Sequence, residues 1–193
     1  MFFKHRVARN RFLYFCVLIL ILAVFAYLVD LYNWSLFELA IIGIAFLVPG
    51  RLVQYFWRDF FAGRKLLEKG SSEEAQRVLA KFLESVREFP WIKWLMFFTY
   101  GLYSFKVEAV TLTYLGEAHL RQGHLDEAGL CFDEALRIDS KYSVAMFNLA
   151  VLYHLKSNAS EARLTFELAR QHGYPRMTFD QFEFYVKERY SKA

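Results

Sequence analysis

The chain has little of what chemistry usually needs. Of its 193 residues only two are cysteine, Cys16 and Cys131. Neither has a metal-ligand companion nearby and they cannot be read as a disulfide framework, so both read as small apolar fillers. There is no H-E-x-x-H, no C-x-x-C and no G-x-x-x-x-G-K-[ST] loop. The five histidines are His5, His119, His124, His154 and His172. His119 and His124 are five residues apart, which is poor spacing for one helical face. The carboxylate pairs Asp126-Glu127 and Asp133-Glu134 are adjacent residues, which diverge on a helix and read as solvated faces. No catalytic residue, metal ligand or cofactor is therefore expected, and no small-molecule substrate. Positive charge is also missing where nucleic acid would need it. Residues 1–65 carry eight Lys/Arg and three Asp/Glu, a balance of +5, while the remainder carries sixteen and seventeen, a balance of −1. A nucleic-acid surface needs a basic stripe along the folded face.

Apolar residues, by contrast, are abundant. Hydrophobic content is 56% and aromatic content 19%, and the excess collects in three runs at 12–29, 36–48 and 91–103. The first is eighteen uncharged residues, close to the ~20 that cross a bilayer as a helix. The second, extended back to Leu31, has similar length. Between them lies a polar turn with Asp30, Asn33 and Ser35, and Pro49-Gly50 is expected to break the second helix. A signal peptide is the competing reading of the first run, but no clear cleavage site follows and a second apolar run comes at once. Residues 1–50 are thus expected to form a transmembrane hairpin. Lys and Arg flank it on both outer sides and are absent from its turn, so the positive-inside rule places both termini in the cytoplasm, at a bacterial inner membrane. Glu38 reads as solvated near the outer end of the second helix.

Residues 51–61 have the amphipathic, aromatic-rich pattern of an interfacial helix lying on the lipid bilayer, the alternative being a helix packed on the repeats. Three readings stay open for the run at 91–103, where Trp91, Trp94, Leu95, Phe98, Leu102 and Phe105 recur at helical spacing. It dips into the membrane interface, docks a membrane partner, or packs internally.

The strongest signal is a repeat. Residues 109–142 align with those from 143 onward at a period of 34. Leu115 matches Leu149, Gly116 matches Ala150, His119 matches Tyr153, Glu127-Ala128 matches Glu161-Ala162, Phe132 matches Phe166, and Ala135 matches Ala169. The small residues let neighbouring helices cross closely, and the large ones fill what remains. Helix pairs of this kind bury their apolar faces by stacking and present a binding surface. A degenerate earlier copy follows the same spacing through Ala62-Gly63, Leu66, Gly70, Glu74-Ala75, Leu79 and Phe82, with Leu79 at the aromatic position. Thr178 with Gln181 reads as the capping box of a terminal helix.

The run from Tyr114 to His119 followed by Gly123 to Ala128, and the second run from Phe147 to Tyr153 with Ser160-Glu161-Ala162, resemble the tetratricopeptide repeat (TPR) family. Ser140 stands where that family usually ends a repeat with proline, and Pro175 closes the second repeat one residue late. With the apolar runs, the resemblance gives the expected all-α architecture: from the runs a two-helix transmembrane hairpin (1–50) and an interfacial helix with a degenerate repeat and aromatic segment (51–108), and from the resemblance two TPR-like repeats of a short α-solenoid (109–176) followed by a capping helix (177–193). It also implies that the first helix of each repeat lines a concave groove, with Thr113, Tyr114, Glu117 and Arg121, then Phe147, Asn148, Val151 and His154. Only Asn148 fits the two-asparagine clamp that some of these proteins use on a chain terminus, so a chaperone-tail clamp is not expected. The expected function is a membrane-anchored scaffold that binds a helix or extended segment of a protein partner in a cell-envelope assembly. The alternative is an integral subunit of a larger membrane complex, held mainly through its transmembrane helices.

Overall fold

The computed structural model describes residues 6–32, 34–98, 106–174 and 176–190. Asn33, Pro175 and the end of the aromatic run, with Leu102, Tyr103 and Phe105, lie outside them. The described residues are helical throughout: α1 (Arg6–Tyr32), α2 (Leu36–Phe56), α3 (Arg58–Lys69), α4 (Ser72–Glu88), a 3-10 helix (Pro90–Phe98), α5 (Val107–Arg121), α6 (Leu125–Ile138), α7 (Ser143–Leu155), α8 (Ala159–Gln171) and α9 (Phe179–Tyr190).

The transmembrane hairpin does not hold. Among the described residues no helix is long and apolar enough to cross a membrane. With it goes the placement as a multi-pass inner-membrane protein with cytoplasmic termini. The two apolar runs are parts of longer, mixed helices. Helix α1 starts at Arg6 and carries Arg9 and Arg11 in its first turns. Helix α2 continues past Pro49 and Gly50 to Phe56, taking in Arg51 and Gln54. A proline loses its own N–H bond and crowds the carbonyl four residues back, yet here the flanking turns carry the helix on. Large side chains such as Ile19, Leu20, Phe37 and Leu47 stand exposed on these two helices. Glu38 closes the N-terminus of α2. Its backbone N–H donates to the Ser35 hydroxyl (3.4 Å), and its carboxylate accepts from the Ser35 N–H (2.7 Å). The bond from the Ser35 N–H, followed by one the Ser35 hydroxyl donates to the same carboxylate (2.9 Å), holds its carboxyl below the usual range.

The helix expected at an interface over 51–61 is also corrected. Residues 51–56 finish α2, Trp57 forms the joint, and α3 starts at Arg58. Trp57 and Phe60 are wholly buried. With Phe82 of α4 they form a three-ring cluster with centroids 5.4 to 5.7 Å apart. Such ring pairs stabilise by about 0.5–1.5 kcal/mol each beyond their burial. The indole N–H of Trp57 donates to the carbonyl of Ile92 (3.3 Å). In the 3-10 helix Ile92 and Leu95 are buried, Trp91 meets Phe56 edge-on at 4.6 Å, and Lys93 pairs with Glu108 of α5 (3.1 Å). Ile92 and Leu95 are therefore packed against the protein's own chain, while Trp91 and Trp94 stay 45% and 68% exposed.

Three helical hairpins follow one another: α3–α4, α5–α6 and α7–α8. In the second, a Cβ at Gly116 would stand 2.4 Å from the Phe132 ring; in the first, a Cβ at Gly63 would stand 2.5 Å from Leu79. Leu79 thus does for α3–α4 what Phe132 does for α5–α6, and Ala150 with Phe166, both fully buried, completes the series. Each hairpin turns through a left-handed residue: Gly70 (φ 87°), Gly123 (φ 78°) and Ser157 (φ 59°). The N–H that follows each one closes back onto the carbonyl of Leu66, His119 or Tyr153 (2.9 to 3.0 Å). Gly63 precedes Gly116 by 53 positions, and Gly116 precedes Ala150 by 34. The difference is the segment holding the 3-10 helix, inserted between α4 and α5.

Helix α9 closes the stack. Thr178 and Gln181 exchange backbone-to-side-chain hydrogen bonds of 3.0 and 3.3 Å at its start. Phe182, Val186 and Tyr190 form its buried stripe.

Candidate functional site: the concave side of the repeats

Helices α3, α5 and α7 are the first helices of their hairpins, and residues of all three line one cavity. Of the eight positions expected to line a groove there, four are buried: Thr113, Phe147, Asn148 and Val151. Thr113 is 2% exposed, and its hydroxyl donates to the Ala109 carbonyl of its own helix (2.8 Å). Phe147 and Val151 are buried. Phe147 lies in an aromatic cluster with Tyr174 (5.3 Å), Phe182 (5.6 Å) and Tyr185 (5.8 Å). His154 packs edge-on against Phe182 at 5.9 Å.

Glu117 and Arg121 are engaged with each other and with neighbouring elements. They form an i,i+4 ion pair, and Arg121 also donates to the carbonyl of Leu67 at the end of α3. Arg189 of α9 approaches Glu117 at 3.6 Å. This network ties α3, α5 and α9 together across the concave side. The Arg121 Nε is buried without a partner.

Tyr114 and Asn148 open into a cavity of about 300 Å³. Arg64 of α3 and Val110, Tyr114 and Glu117 of α5 form one side of it. Tyr142, Val144, Phe147 and Asn148, from the start of α7 and the turn before it, form the other, and Tyr174 and Tyr185 close it. Arg64 lies over the Tyr114 ring, 5.4 Å from its centroid, and makes no ion pair among the described residues. Asn148 is 8% exposed and Tyr142 3%, and both line the cavity. Burial pushes the hydroxyls of Tyr114 and Tyr185 above their ordinary range and that of Tyr142 well above it. All three stay protonated near neutrality and can donate.

Sequence reasoning missed Arg64, Tyr142, Tyr174 and Tyr185. A signal existed for the first. Arg64 precedes Glu117 by the same 53 positions that separate Gly63 from Gly116, so the degenerate hairpin places it at the groove-facing position. The tyrosines had no such signal, because they reach the cavity from turns and from α9.

No curated protein matches the chain. The tetratricopeptide repeat matches residues 109–142, the α5–α6 hairpin with the turn that follows it. Repeats of this kind stack into surfaces for protein partners, so the chain carries at least one unit of a protein-interaction scaffold.

Proposed function

We propose that the chain is a scaffold that holds a helical or extended segment of a partner protein against the concave side of its repeats, at the cavity around Tyr114 and Asn148. The observation that carries this reading is the cavity itself, where the largely buried polar side chains Asn148 and Tyr142 meet Arg64 and Tyr114. The cavity is at the small end of ligand sites, which suits one or two anchoring side chains of a longer segment.

The test is affinity purification of the tagged full-length chain with mass spectrometry, repeated with Tyr114→Ala and Asn148→Ala. Loss of the same partner in both variants, with unchanged thermal melts, supports the reading. Undiminished capture by both variants overturns it. Phe147→Ala is a poor probe, since Phe147 belongs to the core and its truncation would cost about 3–5 kcal/mol of stability.

A further inference from the structure

We infer that the joint between α5 and α6 is an acid-sensitive latch, closed while His119 is neutral and loosened when its ring takes up a proton. The three hairpins share one joint. In each, the N–H of the residue that caps the second helix donates to the carbonyl of a residue in the last turn of the first: Ser71 to Leu66, His124 to His119 and Asn158 to Tyr153 (2.9 to 3.0 Å). Among these residue types only histidine changes charge between about pH 5 and 8. The middle joint has histidine at both places, and the other two have it at neither.

The geometry around His119 opposes the proton. Its Nδ1 atom is buried without a hydrogen-bond partner. A neutral ring can leave that atom bare and carry its hydrogen on Nε2, but the cation needs an N–H on both nitrogens. Protonation therefore buries a donor that nothing accepts. The His124 ring stands 6.0 Å away, so a proton on either ring repels one on the other. His124 is also the N-cap of α6 and makes no side-chain bond to that helix, and a helix N-terminus disfavours positive charge. Two features favour the cation. Glu127 in the first turn of α6 attracts it, and His119 lies in the last turn of α5, where the helix end favours positive charge. Burial outweighs them, and with the repulsion from His124 it holds the imidazole below its ordinary value of 6.5. A group held this way contributes stability that is complete above the unfolded value and is lost as pH falls toward the folded one. The latch belongs to the fold and does not depend on what the cavity binds.

The experiment is amide hydrogen exchange on the full-length chain at about pH 7, 6 and 5, a range that spans histidine titration. Exchange is expressed as protection factors, so that the chemical effect of pH on exchange cancels. One proton limits the loss of protection to about tenfold per pH unit. Protection over residues 119–128 should fall by about three- to tenfold across the range, while the matching segment 153–162 holds steady. His119→Tyr with His124→Asn, which copies the joint of Tyr153 and Asn158, should abolish the difference between the segments. His119→Phe should abolish it too, and gives an independent answer where the double variant folds poorly. Glu127→Gln removes the attraction and should move the fall to lower pH. Protection over 119–128 that is unchanged down to about pH 5, an equal fall at both segments, or a fall that survives in the folded His119 variants overturns the inference.

Discussion

Gly116 of α5 lies so close to Phe132 of α6 that a methyl group on it would stand 2.4 Å from the ring. Alanine at this helical position would contribute about 1 kcal/mol in helix propensity. The ring cannot yield easily, because Phe132 is wholly buried, and overpacking of this kind costs about 1–3 kcal/mol or more. Gly116→Ala should therefore lower stability, with a thermal midpoint several degrees down. A midpoint at or above that of the parent chain would show that the α5–α6 crossing has slack.

Ser157 turns the third hairpin with φ 59°, where the first two use Gly70 and Gly123. A non-glycine residue in the left-handed region costs about 1–2 kcal/mol. Ser157→Gly should raise stability by about 1 kcal/mol, or about 2–4 °C for a chain of this size. Ser157→Ala should not. Equal melts for the glycine and alanine variants would contradict the strain argument.

Glu117 holds Arg121, whose side chain is 16% exposed. Glu117→Ala would leave that cation with the Leu67 carbonyl as its remaining acceptor. The expected cost is about 2 kcal/mol, below that of breaking a fully buried pair. Arg189, 43% exposed, should cost under about 1 kcal/mol when replaced by Ala. Urea titrations of both single variants and the double variant separate the two contributions. A Glu117→Ala variant no less stable than Arg189→Ala would place the pair in solvent.

Burial pushes the Cys131 thiol up from 9.0 to about 11 and the Tyr142 hydroxyl well above its ordinary range. Both groups keep their protons longer folded than unfolded. Their contribution is fully present below the unfolded values and is lost as pH rises through the folded ones. The urea midpoint should hold near neutrality and fall between about pH 9 and 11. Tyr142→Phe should flatten that fall. At pH 8 iodoacetamide should label exposed Cys16 well before Cys131. A midpoint that rises with pH over this range would reverse the assignment.

The hairpins at 109–171 were readable from sequence because close helix crossings need small residues at fixed places, and Gly116, Ala128, Ala135, Ala150, Ala162 and Ala169 mark them at the right period. The course of α2 was not readable. Pro49-Gly50 is locally a stop, and only the docking of Val53 and Trp57 into the core shows where the helix is needed. An aromatic-rich segment such as 51–61 looks the same whether its rings meet lipid or each other, since both environments are apolar. The groove positions share this limit. Helical spacing places Phe147, Val151 and His154 on one side of α7, but it carries no information about α9, which covers part of that side through Phe182.

The joint at Trp57 has a mechanical consequence. The indole is clamped between Phe60, Phe82 and the Ile92 carbonyl, and α3 leaves it directly, with Arg64 less than two turns further on. Load applied to α2 has no slack loop in which to dissipate. It passes to α3, the helix that carries Arg64 at the edge of the cavity.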